Sequence, residues 1–73
     1  MNWDQWRASR NNFLENLLPF LEKYCQDITR DAKKGNKTAL TIVDLYDMIS
    51  ASFDPEIEIL LEQSINEYRI VKT

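Results

Sequence analysis

Residues 3–32, WDQWRASRNNFLENLLPFLEKYCQDITRDA, decide the fold. Turned through about 100° per residue, Trp3, Trp6, Phe13, Leu14, Leu17, Leu18, Phe20, Leu21, Tyr24, Cys25, Ile28 and Ala32 fall in one continuous stripe. That pattern predicts a long amphipathic helix. Pro19 interrupts it, because proline lacks a backbone donor and clashes with the carbonyl four residues back, here that of Glu15. The stripe keeps its phase across Pro19, and the proline itself projects to the opposite side. Both features favour a bend concave toward the core over a full break. A break, with Asn16 capping a second piece, is the alternative.

Working outward, Gly35 supplies the left-handed residue that closes a helix, and Asn36 follows as a turn residue. The turn is expected over Gly35 to Leu40. Thr41 with Asp44 three residues on resembles a capping box, and Leu40 and Leu45 are placed for a hydrophobic staple, so a second helix should start at Thr41. Its core face would be Ile42, Leu45, Tyr46 and Ile49. Asp54-Pro55, an acidic cap followed by proline at the first helical position, opens a third helix. Ile57, Leu60, Leu61, Ile65, Tyr68 and Val71 form its main face. The expected fold is all-α, a small bundle of three helices with a long kinked first helix, in one domain spanning residues 1–73.

A chain of 73 residues buries a core that is only marginally sufficient, so completion by a second copy is expected. A straight helix over residues 3–34 would be about 48 Å long, whereas a compact globule of this size has a radius of gyration near ~11 Å. Either the kink folds the first helix over, or the shorter helices leave part of its stripe uncovered around Trp3 and Trp6, where it would meet a partner or a second copy.

Composition narrows the function by exclusion. The chain has no histidine and one glycine, which removes the usual general base and the glycine-rich phosphate cradle. No enzyme, cofactor or metal is expected. Cys25 reads as a packed thiol beside Leu21 and Ile28. With a single cysteine and neither a signal-peptide pattern nor a run of apolar residues long enough to span a bilayer, a cytoplasmic location off the membrane is expected. The carboxylate pairs Asp27/Asp31, Asp44/Asp47 and Glu58/Glu62 read as solvated acidic faces rather than cation sites.

Charge is uneven. Residues 1–37 carry seven Lys/Arg and five acids (+2), residues 38–73 two against seven (−5), and the sum is the net −3. Nucleic acid is thus an unexpected partner in bulk.

Four surfaces remain as candidates. The first is Trp3, Trp6, Arg10 and Phe13, with Arg7 alongside, since Trp and Arg dominate interface energetics. Arg10 lies inside the stripe, where it needs a partner outside the chain or a glutamate of the third helix. The second is a seam on the back of the third helix, Ile59, Gln63, Asn66 and Ile70, spaced four, three and four residues apart as in a helix-packing row. The third is the acidic face of Asp44, Asp47, Glu58 and Glu62, with Glu56 and Glu67. The fourth is the basic turn of Arg30, Lys33, Lys34 and Lys37, whose charges also complement the negative end of the helix dipole.

The leading expectation is a non-enzymatic protein–protein interaction module, an adaptor or regulatory subunit acting as a homodimer and using the first two surfaces. The alternative is a small acidic inhibitor, of the kind phages use, that imitates nucleic acid and blocks a nucleic-acid-binding enzyme. The third reading is a nucleic-acid accessory protein using the basic turn.

Overall fold

The first helix starts where its cap dictates. Asn2 is in extended backbone and its side chain accepts the Gln5 N–H at 2.7 Å, opening α1 (Trp3–Asn12). In this computed structural model, which describes residues 2–72 with side chains through Ile70, the chain is all-helical among the described residues.

The stretch after α1 is not the single bent helix that the stripe predicts. Phe13–Leu17 forms a π-helical turn whose closing bond runs from the Leu18 N–H to the Phe13 carbonyl, five residues back. Pro19 follows in the first turn of α2 (Leu18–Lys23), where a missing donor costs least. The wider turn is the physical answer to the clash: it changes the register of the carbonyls that a regular α-helix would aim at the proline ring. It also advances each residue through a smaller angle, so Phe13 and Leu17 stay on one buried face.

A second irregularity, at Tyr24 (φ −106°, ψ 18°), separates α2 from α3 (Cys25–Lys33). Tyr24 still donates to Phe20 at 3.0 Å, and the Ile28 N–H donates to Tyr24 at 2.9 Å, so bonds still run into and out of the bend. The alternative of a break capped by Asn16 is not what forms. Asn16 lies inside the π turn and donates instead to the Asn12 side chain. Laid end to end, residues 3–33 would reach about 46 Å, yet the longest axis of the molecule is 39 Å. The two bends shorten this arm, α1 through α3, accordingly.

Gly35 ends α3 at φ +91°. Its N–H donates to Ala32 and that of Asn36 to Asp31, both at 3.0 Å, which is the paired pattern of a Schellman closure. Nothing lies within 4 Å of the place a Cβ would occupy. Gly35→Ala therefore carries only backbone strain and is expected to destabilise by about 1–2 kcal/mol. Gly35→Asn should cost less, because asparagine tolerates this conformation. Urea titrations of the three proteins check the order; an alanine variant as stable as wild type would contradict it.

The turn is shorter than the sequence suggests, because Asn36 and not Thr41 caps the next helix. The Asn36 side chain accepts the Ala39 N–H at 2.9 Å and opens α4 (Lys37–Ala51). Thr41 sits one turn inside, its hydroxyl donating to the Lys37 carbonyl, and Leu40 is exposed rather than stapled. Asp54-Pro55 does open α5 (Pro55–Lys72), with Asp54 accepting the Glu56 N–H at 2.9 Å.

The core joins Phe13, Leu17, Leu21 and Ile28 of the arm to Ala39, Ile42 and Ile49 of α4 and Leu61, Ile65 and Tyr68 of α5. Each fully buried aliphatic side chain here contributes about 1.5–3 kcal/mol. Three long-range bonds fix direction. Ser9 and Asn12 of α1 reach Glu58 near the start of α5, and Tyr68 near its end donates to Asp31 at the end of α3. The arm and α5 thus run parallel, with α4 antiparallel to both.

Several stripe-edge residues lie elsewhere than expected. Leu14, Tyr46 and Leu60 are exposed, Leu45 and Ile57 are half-buried, and Cys25 is an exposed thiol rather than a packed one. The side chain of Val71 lies outside the described residues.

Candidate functional site

The N-terminal surface is built by α1 and anchored from the turn before α5. The Trp3 and Trp6 rings stack at 5.1 Å with only 9° between their planes. Trp6 meets Phe53 edge-on at 5.5 Å, and Phe53 packs at 6.0 Å against Phe13, which is buried. Phe13 therefore belongs to the core and not to a partner surface; the π turn aims it inward. Trp3 keeps 64% of its area in solvent. The Arg7 guanidinium lies 5.6 Å from the Trp3 ring centre and that of Arg10 lies 5.9 Å from Trp6. Arg10 is exposed and reaches no glutamate of α5.

The carboxylate that α1 does engage is Glu58. Expected on a solvated acidic face, it is instead 4% exposed, accepting hydrogen bonds from the Ser9 hydroxyl at 3.1 Å and from the Asn12 amide. It occupies the core side of α5 together with Leu61 and Ile65, so the charge is met by two neutral donors. Of the other acids, Asp44, Asp47, Glu56 and Glu67 are exposed and Glu62 is half-buried. The acidic surface is thus split between the outer sides of α4 and α5.

On α5, Ile59 is 52% and Ile70 76% exposed, and Gln63 and Asn66 between them are exposed as well. With Leu61, Ile65 and Tyr68 buried, helical geometry puts this row on the side opposite the core. At the basic turn, Arg30 pairs with Asp27 at 3.1 Å and Asp31 at 3.7 Å, while Lys33, Lys34 and Lys37 are exposed.

Two features were not legible in the stripe. An apolar cavity of about 270 Å³ opens between the arm and α4, lined by Leu18, Leu21, Cys25, Ile42, Val43 and Tyr46 among others. The Tyr68 hydroxyl, on a side chain 1% exposed, donates to Asp31 at 2.7 Å. Burial first, then this hydrogen bond and the negative charge of Asp31, push the Tyr68 phenol well above the ordinary tyrosine range.

Among the described residues no group of three or more His, Cys, Asp and Glu side chains could hold a metal ion, and no helix is long and apolar enough to cross a membrane. Comparison with protein-family models, with curated proteins and with solved structures finds no match to this chain.

Proposed function

We propose that the chain is a non-enzymatic protein–protein interaction module, an adaptor or regulatory subunit, that works in the cytoplasm as a homodimer through the outer side of α5. One observation carries this reading: Ile59 and Ile70 are strongly exposed on a well-formed helix, on the side away from its core. Exposed isoleucines at both ends of one row, with amides between them, are a contact pattern rather than a solvated one. The row is also symmetric about its midpoint. Antiparallel pairing of two copies around a two-fold axis sets Ile59 of one beside Ile70 of the other, and Gln63 beside Asn66. In such an assembly the arm, α4 and α5 act as a three-membered bundle that the second copy completes.

Ile59→Asp combined with Ile70→Asp should weaken dimerisation about 100-fold or more, given the apolar area withdrawn from the contact. Sedimentation across a concentration series measures this, with circular dichroism confirming unchanged helicity. A wild-type chain that remains a monomer at its highest soluble concentration would refute the dimer.

A second reading, an acidic inhibitor of a nucleic-acid-binding enzyme, is favoured by the exposed Asp44 and Asp47 of α4. Salt separates the two: a charge-imitating complex should dissociate near ~0.5 M salt, where the Debye length is a few ångströms, and an apolar contact should persist.

A further inference from the structure

We propose that the Trp3–Trp6 stack with Arg7 and Arg10 is a docking site for an acidic segment of another protein. Carboxylates of that segment would meet the two guanidiniums, and an apolar side chain beside them would cover Trp3. The inference rests on reading the chain as an interaction module, but not on the α5 dimer.

The site is built rather than incidental. Asn2 caps α1 and so fixes the helical turn that brings Trp3 and Trp6 into their stack. The contact of Trp6 with Phe53, and of Phe53 with buried Phe13, ties that stack to the core. None of α1's own residues is buried, and while half-buried Trp6 anchors the stack, Trp3, Arg7 and Arg10 are exposed. Trp3, 64% exposed, is the kind of large rigid anchor that dominates contact energetics when a partner covers it.

Charge selects the occupant. Each arginine lies over a tryptophan ring, and neither makes an ion pair among the described residues. A guanidinium steadied on an aromatic ring keeps its N–H edge for a planar acceptor, and a carboxylate matches that fork with two bonds. Asp4 is the single acid on α1 and makes no ion pair with either arginine. Two cations held in place without carboxylates call for carboxylates from outside.

A nucleic-acid strand also offers anions, but it fits less well. Bases need open aromatic faces, whereas Trp3 and Trp6 each turn a face to the other and each carries an arginine. A polyanion would in addition be repelled by a chain of net charge −3. A short acidic segment with apolar side chains escapes most of that penalty.

Because Trp3 and Trp6 are the chain's two tryptophans, tryptophan emission excited beyond the tyrosine absorption band reads this site alone. The full chain is titrated at low salt with a 12-residue Glu/Leu peptide, its Lys/Leu counterpart, a dT12 oligonucleotide and vesicles containing anionic lipid. The expected result is a saturable emission change with the Glu/Leu peptide that the other three do not reproduce. Arg7→Gln and Arg10→Gln should each weaken it about tenfold, the scale of one charge-assisted contact. Trp3→Ala, followed through a label on the peptide, should weaken it at least as much. No response to the Glu/Leu peptide, an equal response to dT12 or to vesicles, or arginine variants that bind as wild type would each overturn the proposal. The same titration on the Ile59→Asp/Ile70→Asp chain keeps the two readings apart: it should bind the peptide as wild type does although it no longer dimerises, whereas a wild-type chain that binds the peptide as a monomer refutes the dimer alone, and one that dimerises without binding the peptide refutes this proposal alone.

Discussion

Tyr68→Ala is expected to cost about 3–5 kcal/mol, the range for truncating a buried aromatic side chain. That approaches the whole stability of a chain of 73 residues, about 4–11 kcal/mol at ~0.05–0.15 kcal/mol per residue. The size of the effect follows from place. Tyr68 is 1% exposed, among the largest fully buried side chains, and its hydroxyl ties the end of α5 to Asp31 at the end of α3. Tyr68→Phe keeps the ring and removes only the bond, so it should cost about 1.5–3 kcal/mol, the range for hydrogen bonds to charged groups.

The same residue predicts sensitivity to alkali. Burial and the Asp31 carboxylate hold the Tyr68 proton on in the folded chain at pH values where an ordinary tyrosine has lost it. Above an ordinary tyrosine pKa near ~10, the unfolded chain binds one proton fewer than the native one, so stability falls as pH rises, by about 1.4 kcal/mol per pH unit. Below that pH the contribution is fully present. Urea unfolding of wild type and Tyr68→Phe from pH 8 to pH 11 measures the difference, in which titrations common to both proteins cancel. Parallel pH profiles for the two would show that the hydroxyl is not held as described.

How much of this was legible in the sequence depended on whether the deciding interaction was local. Gly35 and Asp54-Pro55 act within their own turns, Gly35 through its backbone and Asp54 through its side chain, and both helix boundaries lie where these residues put them. Asn36 carries an equally local signal as a cap, but the Thr41/Asp44 pattern competed with it five residues later. Pro19 announced a distortion without saying which. A kink and a π turn relieve the same clash, and only packing chooses between them. Periodicity gave the centre of each buried face, as Ile42, Leu61 and Ile65 show, but not its width. Tyr46, Leu60 and Cys25 lie at the edges of those faces, where the neighbouring helix decides what is covered.

The surfaces follow the same division. The outer row of α5 could be read from the spacing of Ile59, Gln63, Asn66 and Ile70, because the face opposite a core is set by that core. The Trp6–Phe53–Phe13 chain joins residues that are distant in sequence, and no local pattern marks Phe53 as the support of a surface.

Glu58 is where charge misleads most, and it carries the second large prediction. A carboxylate in a run of acids reads as solvated, yet Ser9 and Asn12, 49 and 46 residues away, draw it into the core. With no buried residue of its own, α1 depends on this clasp and on the contact of Trp6 with Phe53 to stay on α5. Glu58→Ala should therefore do two things. It should cost about 1.5–3 kcal/mol for the lost bonds to a charged acceptor, and it should release α1 before the rest of the chain unfolds. Hydrogen exchange reads the second effect directly: protection should be lost over α1 while α4 and most of α5 keep theirs. Ser9→Ala with Asn12→Ala removes the donors from the other side and strands the carboxylate, so it should destabilise at least as much as Glu58→Ala. If protection falls evenly along the chain in Glu58→Ala, α1 is bound into the core more deeply than its exposure indicates, and the Trp3–Trp6 surface is then no separable arm but part of one cooperative unit.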